Sequence, residues 1–492
     1  MRYRILGLAA VAVMLLAAAA AASLEPEAQE RGRVHQHLAY RGDEGCGCGG
    51  SALCSHLPLI VIDTGGQRIP GALAEGMDRF GQAVYTASED GLPVITAQVA
   101  VIDNAGANNH LTDPPALKAA ADFRIRGNSS RRFPKLPYLL DLKDGEGNNL
   151  DYPMMGMDAH HEWALHGPIL DKSLIRNYMW YNISGEIMEY APNVRFCELV
   201  LNGRHQGLYL MVETITNGDD CRLPLRLDTK NAEATGYLLR VDRPTETELE
   251  SIRDVYTFAE RDGQIAQDIA IRYPGRGRLT EALKKSIELD VSAFEKAIFS
   301  YDYNTGQYGY WNWVDVDSFV DYFLINEFTK NSDAGGYSTY LYKEVGGKFK
   351  LCVWDFNNVC DNFREEVQEP ENFLMVKRFW YFMMLKDEAF VERLLARYGE
   401  LRRGVLSEAY LMNYIDETLD WLGPAIDRNN DRWGDEMENW EGLMPPERNI
   451  HSHREGVEQL REWLCERGGW LDENIHALRQ YAHPSRNKKF SH

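Results

Sequence analysis

Apolar positions fall into two regimes along the chain. Up to about residue 245 they come as short runs and alternations, the period of a strand. Leu57 to Asp63 (LPLIVID), Val84-Tyr85, Val94 to Val101 (VITAQVAV), Ala121 to Arg126, Tyr138 to Leu142, Trp163 to Leu165 and Gly236 to Val241 all read this way. Phe196 to Leu201 and Gly207 to Val212 flank Asn202-Gly203, the dipeptide of a tight hairpin turn. One helix interrupts them, Ser173 to Glu189, with Asp171 or Ser173 as its cap. Beyond Leu249 the spacing changes to three and four. Helices are predicted over Leu279 to Leu289, Val291 to Ser300, Val316 to Lys330, Phe373 to Leu385, Glu388 to Leu401 and Ser407 to Leu422. Two more, Gly456 to Glu466 and Trp470 to Tyr481, lie on either side of Gly468-Gly469. The pattern predicts an α+β chain, with a β-rich part over 56–245, a mostly helical part over 246–485 and a tail at 486–492.

One hairpin sits inside the helical part. Asn331 to Gly336 break the preceding helix. Tyr337 to Tyr342 alternate, Val345-Gly346-Gly347-Lys348 supply a turn, and Phe349 to Trp354 return. Residues before the first strand and after the second share the open end of an antiparallel hairpin. Asp333 is therefore expected to face Asp355-Phe356-Asn357-Asn358. Two carboxylates held together repel unless a proton or a cation lies between them, and a divalent metal carrying a phosphorylated substrate is one solution. A solvated hairpin mouth with two turn-forming aspartates fits the same letters.

The net charge of −21 argues against nucleic acid or an anionic membrane as a bulk partner. Against that background, Arg124, Arg126, Arg131, Arg132 and Lys135 gather around the turn Gly127-Asn128-Ser129-Ser130, a composition suited to phosphate or to a solvated basic loop. Glu213 closes the Gly207 to Val212 strand, either holding a basic or nucleotide group or as a strand-end charge. There is no Gly-x-Ser-x-Gly elbow and no phosphate-binding Gly-x-x-x-x-Gly-Lys loop. His161 and His166 are one position too far apart for a helical zinc pair, and the adjacent His160 and His161 are expected to point apart.

Arg2 and Arg4 precede an apolar run from Ile5 to Ala22, the pattern of a secretory leader over residues 1–23, with an uncleaved anchor as the alternative. Residues 24–55 read as a polar, glycine-rich linker. It holds Cys46, Cys48 and Cys54, three of eight cysteines. No second Cys or His pair follows nearby, so a local disulfide is expected there rather than zinc. The chain has 492 residues and 44% hydrophobic content, enough for two or three packed units. Its 11 Trp and 25 Tyr are expected mainly in the core, with glycan binding as a remote use.

Six segments, taken together and in order, resemble the CotH kinase family: RIRGNSSRRFPKLPY (124–138), DKSLIRN (171–177), ELVLNGRHQGLYLMVE (198–213), GYLLRVD (236–242), FVDYFLINEFTKNSDAGGYSTYLYK (319–343) and VWDFNNVCDN (353–362). The resemblance implies an atypical, secreted, two-lobed protein-kinase-like fold. Such a protein would use ATP with Mg²⁺ or Mn²⁺ to phosphorylate Ser in a protein substrate, without nucleic acid or stable membrane insertion. Carried over by position, Asp355 and Asn357 hold metal and Asp333 is the catalytic-loop carboxylate. Lys135, with Arg126, contacts ATP phosphates, and Glu213 lies near the nucleotide or the lysine. Many relatives carry a second Asp where this chain has Asn357, with Asp361 as a compensating charge. That departure leaves open a catalytically weak extracellular scaffold or coat-assembly protein.

Overall fold

The alternating segments close into a barrel. The structure is a computed structural model describing residues 46, 48 and 53–484, except 78–82, 105, 216–222, 224, 229, 232–233, 244–248, 253–267, 363–365, 379, 440–444 and 446–447. The leader therefore lies outside the described residues, as do most of the linker and the tail. Seven strands form the barrel: β1 (Leu59–Asp63), β2 (Ile95–Ile102), β3 (Leu117–Ile125), β4 (Tyr138–Lys143), β5 (Glu162–His166), β6 (Val194–Leu201) and β7 (Arg204–Glu213). Their order is β6-β7-β5-β4-β3-β2-β1. Every pairing is antiparallel except the closure, where β1 runs parallel to β6 from Leu59 beside Glu198 to Ile62 beside Leu201.

Alternation fills the interior. Ile95, Ala97, Val99 and Val101 of β2 point inward with Phe123, Leu140, Trp163, Leu199 and Met211. The expected Asn202-Gly203 turn joins β6 to β7 with φ of 50° and 73°, the positive pair that a two-residue hairpin requires. These two strands are buried on both faces, which explains their nearly continuous apolar run. Phe196, Leu208, Leu210 and Val212 turn outward into the larger core, where helix α1 (Arg176–Ile187) packs.

A second, antiparallel sheet has five strands in the order β9-β10-β8-β11-β12. They are β8 (Tyr237–Asp242), β9 (Ser251–Ile252), β10 (Asp268–Tyr273), β11 (Thr339–Lys343) and β12 (Lys350–Cys352). Strands from both sides of residue 245 thus share one sheet. β9 and β10 were not expected, because the pattern after Leu249 was read as helical. Around the sheet lie α2 (Glu281–Ile298), α3 (Val316–Thr329), α4 (Glu388–Arg402), α5 (Glu408–Leu422), α6 (Pro424–Asn439) and α7 (His453–Asn474). Side-chain caps from Thr280, Asp315, Asp387, Ser407 and Ser452 start five of them.

Several boundaries differ from the pattern. α2 is one helix where two were expected. Phe373 to Leu385 breaks into a 3-10 turn at Met375–Lys377 and a short helix at Tyr381–Met384. α7 runs straight through Gly468-Gly469, because Gly468 is a contact point rather than a stop. A Cβ there would lie 3.1–3.2 Å from the Arg402 guanidinium. Asp171 does not cap α1 by side chain from the capping position, which is Ile175. Its carboxylate instead accepts from the Ser173 and Arg176 amides at 3.0 and 2.8 Å. No helix among the described residues is long and apolar enough to cross a membrane.

Candidate active site

Asp333 and Asp355 meet where the second sheet abuts α1 and α3. α3 stops at Lys330, which takes a left-handed conformation, and Asn331 then ties the two loops together. Its side-chain amide donates to Asn326 Oδ1 at 3.0 Å and to the Asp355 carbonyl at 3.2 Å. The Asp333 carbonyl accepts from the Gly336 and Tyr337 amides, so the loop folds back on itself before β11 begins. Arg378 holds the other side through the Ser332 carbonyl at 2.7 Å.

The Asp355 segment is fixed from α1. Tyr181 Oη accepts from the Asp355 amide at 2.9 Å, and Asn177 Oδ1 accepts from the Phe356 amide at 2.8 Å. Phe356 is fully buried against Trp180 and Tyr181, which anchors the turn in the core. Asp355 itself sits at φ 62°. Its Oδ1 accepts from the Asn357 amide at 3.2 Å and from Asn357 Nδ2 at 2.6 Å. A polar relay continues from there. Asn177 Nδ2 donates to Asn357 Oδ1 at 2.5 Å and to His166 Nε2 at 3.0 Å. The Arg126 guanidinium stacks over Trp354, 5.4 Å from the ring centre, on the Asp355 side of the cleft.

Burial and like charge set the electrostatics. Burial, then Asp355, pushes the Asp333 carboxyl up to about 6, with Arg243 and Arg378 offsetting part of the rise. Burial also raises Asp355, while the Asn357 donors and Arg126 pull it back. Asp242, at the end of β8, adds negative charge to both. Burial, followed by Arg126 and Lys135, lowers His166 to about 3, so its imidazole is neutral. Among the described residues, Asp355 Oδ2 and both Asp333 carboxylate oxygens make no hydrogen bond or ion pair. Under-solvated carboxylate oxygens of this kind suit a hard divalent cation. The carboxylates thus suit Mg²⁺ or Mn²⁺ by their chemistry, whereas Asn357 turns its NH₂ toward Asp355 and its oxygen toward Asn177.

Two expected members lie elsewhere. Lys135 is buried, and its ammonium donates to the Leu208 carbonyl at 2.6 Å and to Asn429 Oδ1 at 2.7 Å, riveting α6 to β7. Glu213 accepts from Tyr190 Oη at 3.2 Å and from the Asn193 amide at 3.0 Å, and makes no pair with Lys135. Burial draws each to the nearest backbone partner, and a position match cannot reveal that. Replacing Lys135 by Met should cost about 1–3 kcal/mol of stability, from two acceptors left bare, with nucleotide affinity unchanged. Thermal melts beside nucleotide titration check this; lost affinity at full stability would return Lys135 to the nucleotide. Asp361, the suggested compensating charge, is held by Arg448 at 2.8 Å and by Gln368.

The pattern did not single out Asp242, Arg243, Arg378, Tyr181 or Asn331. Asp242 closes a quoted segment, but its place beside the pair follows only from β8 lying next to β11, with Val241 opposite Thr339. His160 and His161, expected to diverge, both turn toward Asp151 at 4.0 and 2.8 Å.

A family model described as CotH kinase protein matches residues 123–471, well over half of the chain. The chain belongs to the CotH kinase family. All six segments quoted above lie within or at the edge of that match, and so do Asp333 and Asp355. Inner spore coat protein H of Bacillus subtilis (strain 168) is 23% identical over 245 residues, covering 48% of this chain and 58% of that protein. The chain thus spans under two thirds of that relative's length. Both aspartates are half-buried and lie within the matched residues, and the kinase name of the family suggests ATP and a divalent metal as ligands.

Proposed function

We propose that this protein is a secreted CotH-type kinase that moves the ATP γ-phosphoryl group to Ser hydroxyls of a protein substrate. The observation that carries this reading is the pair of under-solvated aspartates flanked by Arg126, Arg243 and Arg378. A β-rich half followed by a helical half is compatible with the two lobes of a protein-kinase-like arrangement, with the aspartates in the loops that precede β11 and follow β12.

A bound Mg²⁺ or Mn²⁺ would neutralise phosphate charge, with Asp355 and Asn357 as its protein ligands. Asp333 accepts a hydrogen bond from the Ser hydroxyl. It takes that proton as the Ser oxygen–phosphorus bond forms and the bond to the ADP oxygen breaks. Arg126 faces the developing negative charge from above Trp354. The acceptor is a protein side chain; neither nucleic acid nor a membrane is needed. An extracellular or coat location fits the relative's name and the leader pattern.

The pH dependence follows from Asp333. Its raised carboxyl binds a proton more tightly folded than unfolded. The stability it contributes is full below about pH 4 and is lost as pH climbs through about 6. Taking the Ser proton needs the ionised form, so the initial rate of transfer should fall about tenfold per unit below pH 6 and level off above it. Initial rates of label transfer read this directly, and a rate flat from pH 5 to 7 would remove Asp333 from the base role. Asp333→Asn should raise stability above pH 6 by on the order of 1–2 kcal/mol, after discounting for the open side of the cleft.

One observation favours a second reading. Asn357 is already engaged by Asn177 and directs its NH₂ at Asp355, and one metal-facing charge is missing. A scaffold that binds nucleotide without turnover would follow. Labelled ATP with Mg²⁺ or Mn²⁺ and a panel of coat and surface proteins separates the two. Label on Ser supports the kinase; nucleotide binding with no label on any acceptor supports the scaffold. Trp163, Trp180, Trp380, Trp421, Trp433 and Trp463 are buried, as expected of core residues.

A further inference from the structure

We propose that Cys46, Cys48, Cys54 and His110 form a structural zinc site, separate from the aspartate pair. The donor atoms of all four lie within 4.8 Å of one another. Cys46 Sγ is 3.3 Å from His110 Nε2. In a tetrahedral zinc site with ordinary Zn–S and Zn–N bonds, a sulfur and a nitrogen ligand stand about 3.5 Å apart. The thiols are not joined to one another as the expected disulfide. The missing fourth ligand was invisible in the sequence because it comes from 56 residues after Cys54, across the barrel rim.

Local structure brings it there. Cys54-Ser55 pairs antiparallel with Asn109-His110, which sets Cys54 directly opposite His110. Each half of this pairing is tied to the barrel. Ser55 donates to Glu198 of β6, which Arg428 also holds, and Asn109 Nδ2 donates to the Leu57 carbonyl at 3.0 Å. Two ligands therefore stand on a rigid base, and the Cys46 and Cys48 thiols complete the set.

The surroundings are those that orient metal ligands. Asp113 Oδ2 faces His110 Nδ1 at 3.3 Å and accepts from the His110 amide at 2.9 Å and from Asn104 Nδ2 at 2.7 Å. A carboxylate on the far ring nitrogen fixes the tautomer that presents Nε2 to a metal. Asn108 Nδ2 donates to Cys54 Sγ at 3.1 Å, the contact a metal-bound thiolate accepts. Three thiolates and one imidazole select zinc over hard cations, and four protein ligands leave no position for a substrate, so the role is structural. The ion would clasp Cys46 and Cys48 to the base formed by Cys54 and His110. The other convergent group, Asp151 with His160 and His161, has three donors and no thiolate.

The test is metal analysis of the full chain, purified without added thiol or chelator, dialysed and assayed by mass spectrometry of the elements. About one zinc per chain is expected. Its release should require a mercurial or a strong chelator, and the thiols should be unreactive until then. His110→Ala and Cys48→Ser should each lose most of the zinc while circular dichroism and thermal midpoint show a folded barrel. Asp355→Asn should keep the full complement, which separates this site from the phosphoryl-transfer site. Co²⁺ in place of zinc should give a thiolate-to-metal absorption band that His110→Ala weakens. Zinc-free protein two mass units light from a disulfide among these cysteines would overturn the proposal. So would coloured protein carrying iron, or zinc retained in both variants.

Discussion

Asp355→Asn should remove phosphoryl transfer and leave the fold intact. Asp355 holds φ at 62°, where most side chains are strained but Asn is tolerated. Asn keeps the shape, the backbone bond to Tyr181 Oη and room for Phe356, so the variant changes charge alone. Alanine would mix lost chemistry with backbone strain. Loss of the carboxylate removes the negative oxygen proposed to hold the divalent cation, and a drop of about a thousandfold or more in initial rate is expected. The thermal midpoint should hold or rise, because burial already disfavours the Asp355 charge and the variant also relieves Asp333 of a like-charged neighbour. Initial rates of label transfer, measured beside melting curves, read both quantities. Transfer within tenfold of the parent protein would mean that the chemistry lies elsewhere.

Arg467→Met should produce the largest loss of stability of any single polar substitution considered. Arg467 on α7 and Glu327 on α3 are both almost completely buried. Arg467 Nη2 donates to Glu327 Oε1 at 2.5 Å and to the Glu327 carbonyl at 2.8 Å, while Nη1 donates to the Pro370 and Asn372 carbonyls. The Glu327 carboxylate also accepts from the Leu374 and Met375 amides. Three segments thus converge on one guanidinium, one turn before the loop that carries Asp333. Removing it strands a buried carboxylate and several carbonyls, at about 3–5 kcal/mol. For a chain of this size that lowers the melting midpoint by roughly 3–5 °C. The double variant with Glu327→Gln should recover part of the loss, since the unpaired charge goes with it. A single variant that melts within a degree or two of the parent would show the pair to be dispensable.

What the sequence revealed follows from what periodicity encodes. The aspartate hairpin was legible because alternation, a glycine turn and a helix-breaking loop all act over a few residues. The barrel strands were legible one by one, but their closure was not. Nothing in LPLIVID says that it runs parallel to a strand 135 residues later. α7 was split on paper at Gly468-Gly469 because a glycine that makes room for Arg402 looks like a glycine that ends a helix. The alternation of Ile269, Ile271 and Tyr273 in β10 was present but lay within a stretch read as helical. Lys135 and Glu213 mark the limit most clearly. They were carried over by position alone, yet the direction of a buried side chain is decided by the acceptors and donors packed around it.

The order of strands also has a consequence for how the chain is made. The barrel draws only on residues 59–213, so it can close while the rest is still being synthesised or exported. At that moment the outer faces of β6 and β7, with Phe196, Leu208, Leu210 and Val212, have α1 beside them but none of the later helices. β8 likewise waits about a hundred residues for its neighbour β11. The exposed apolar flank is thus a property of the nascent chain, and the two aspartates meet only after the last partner strand arrives.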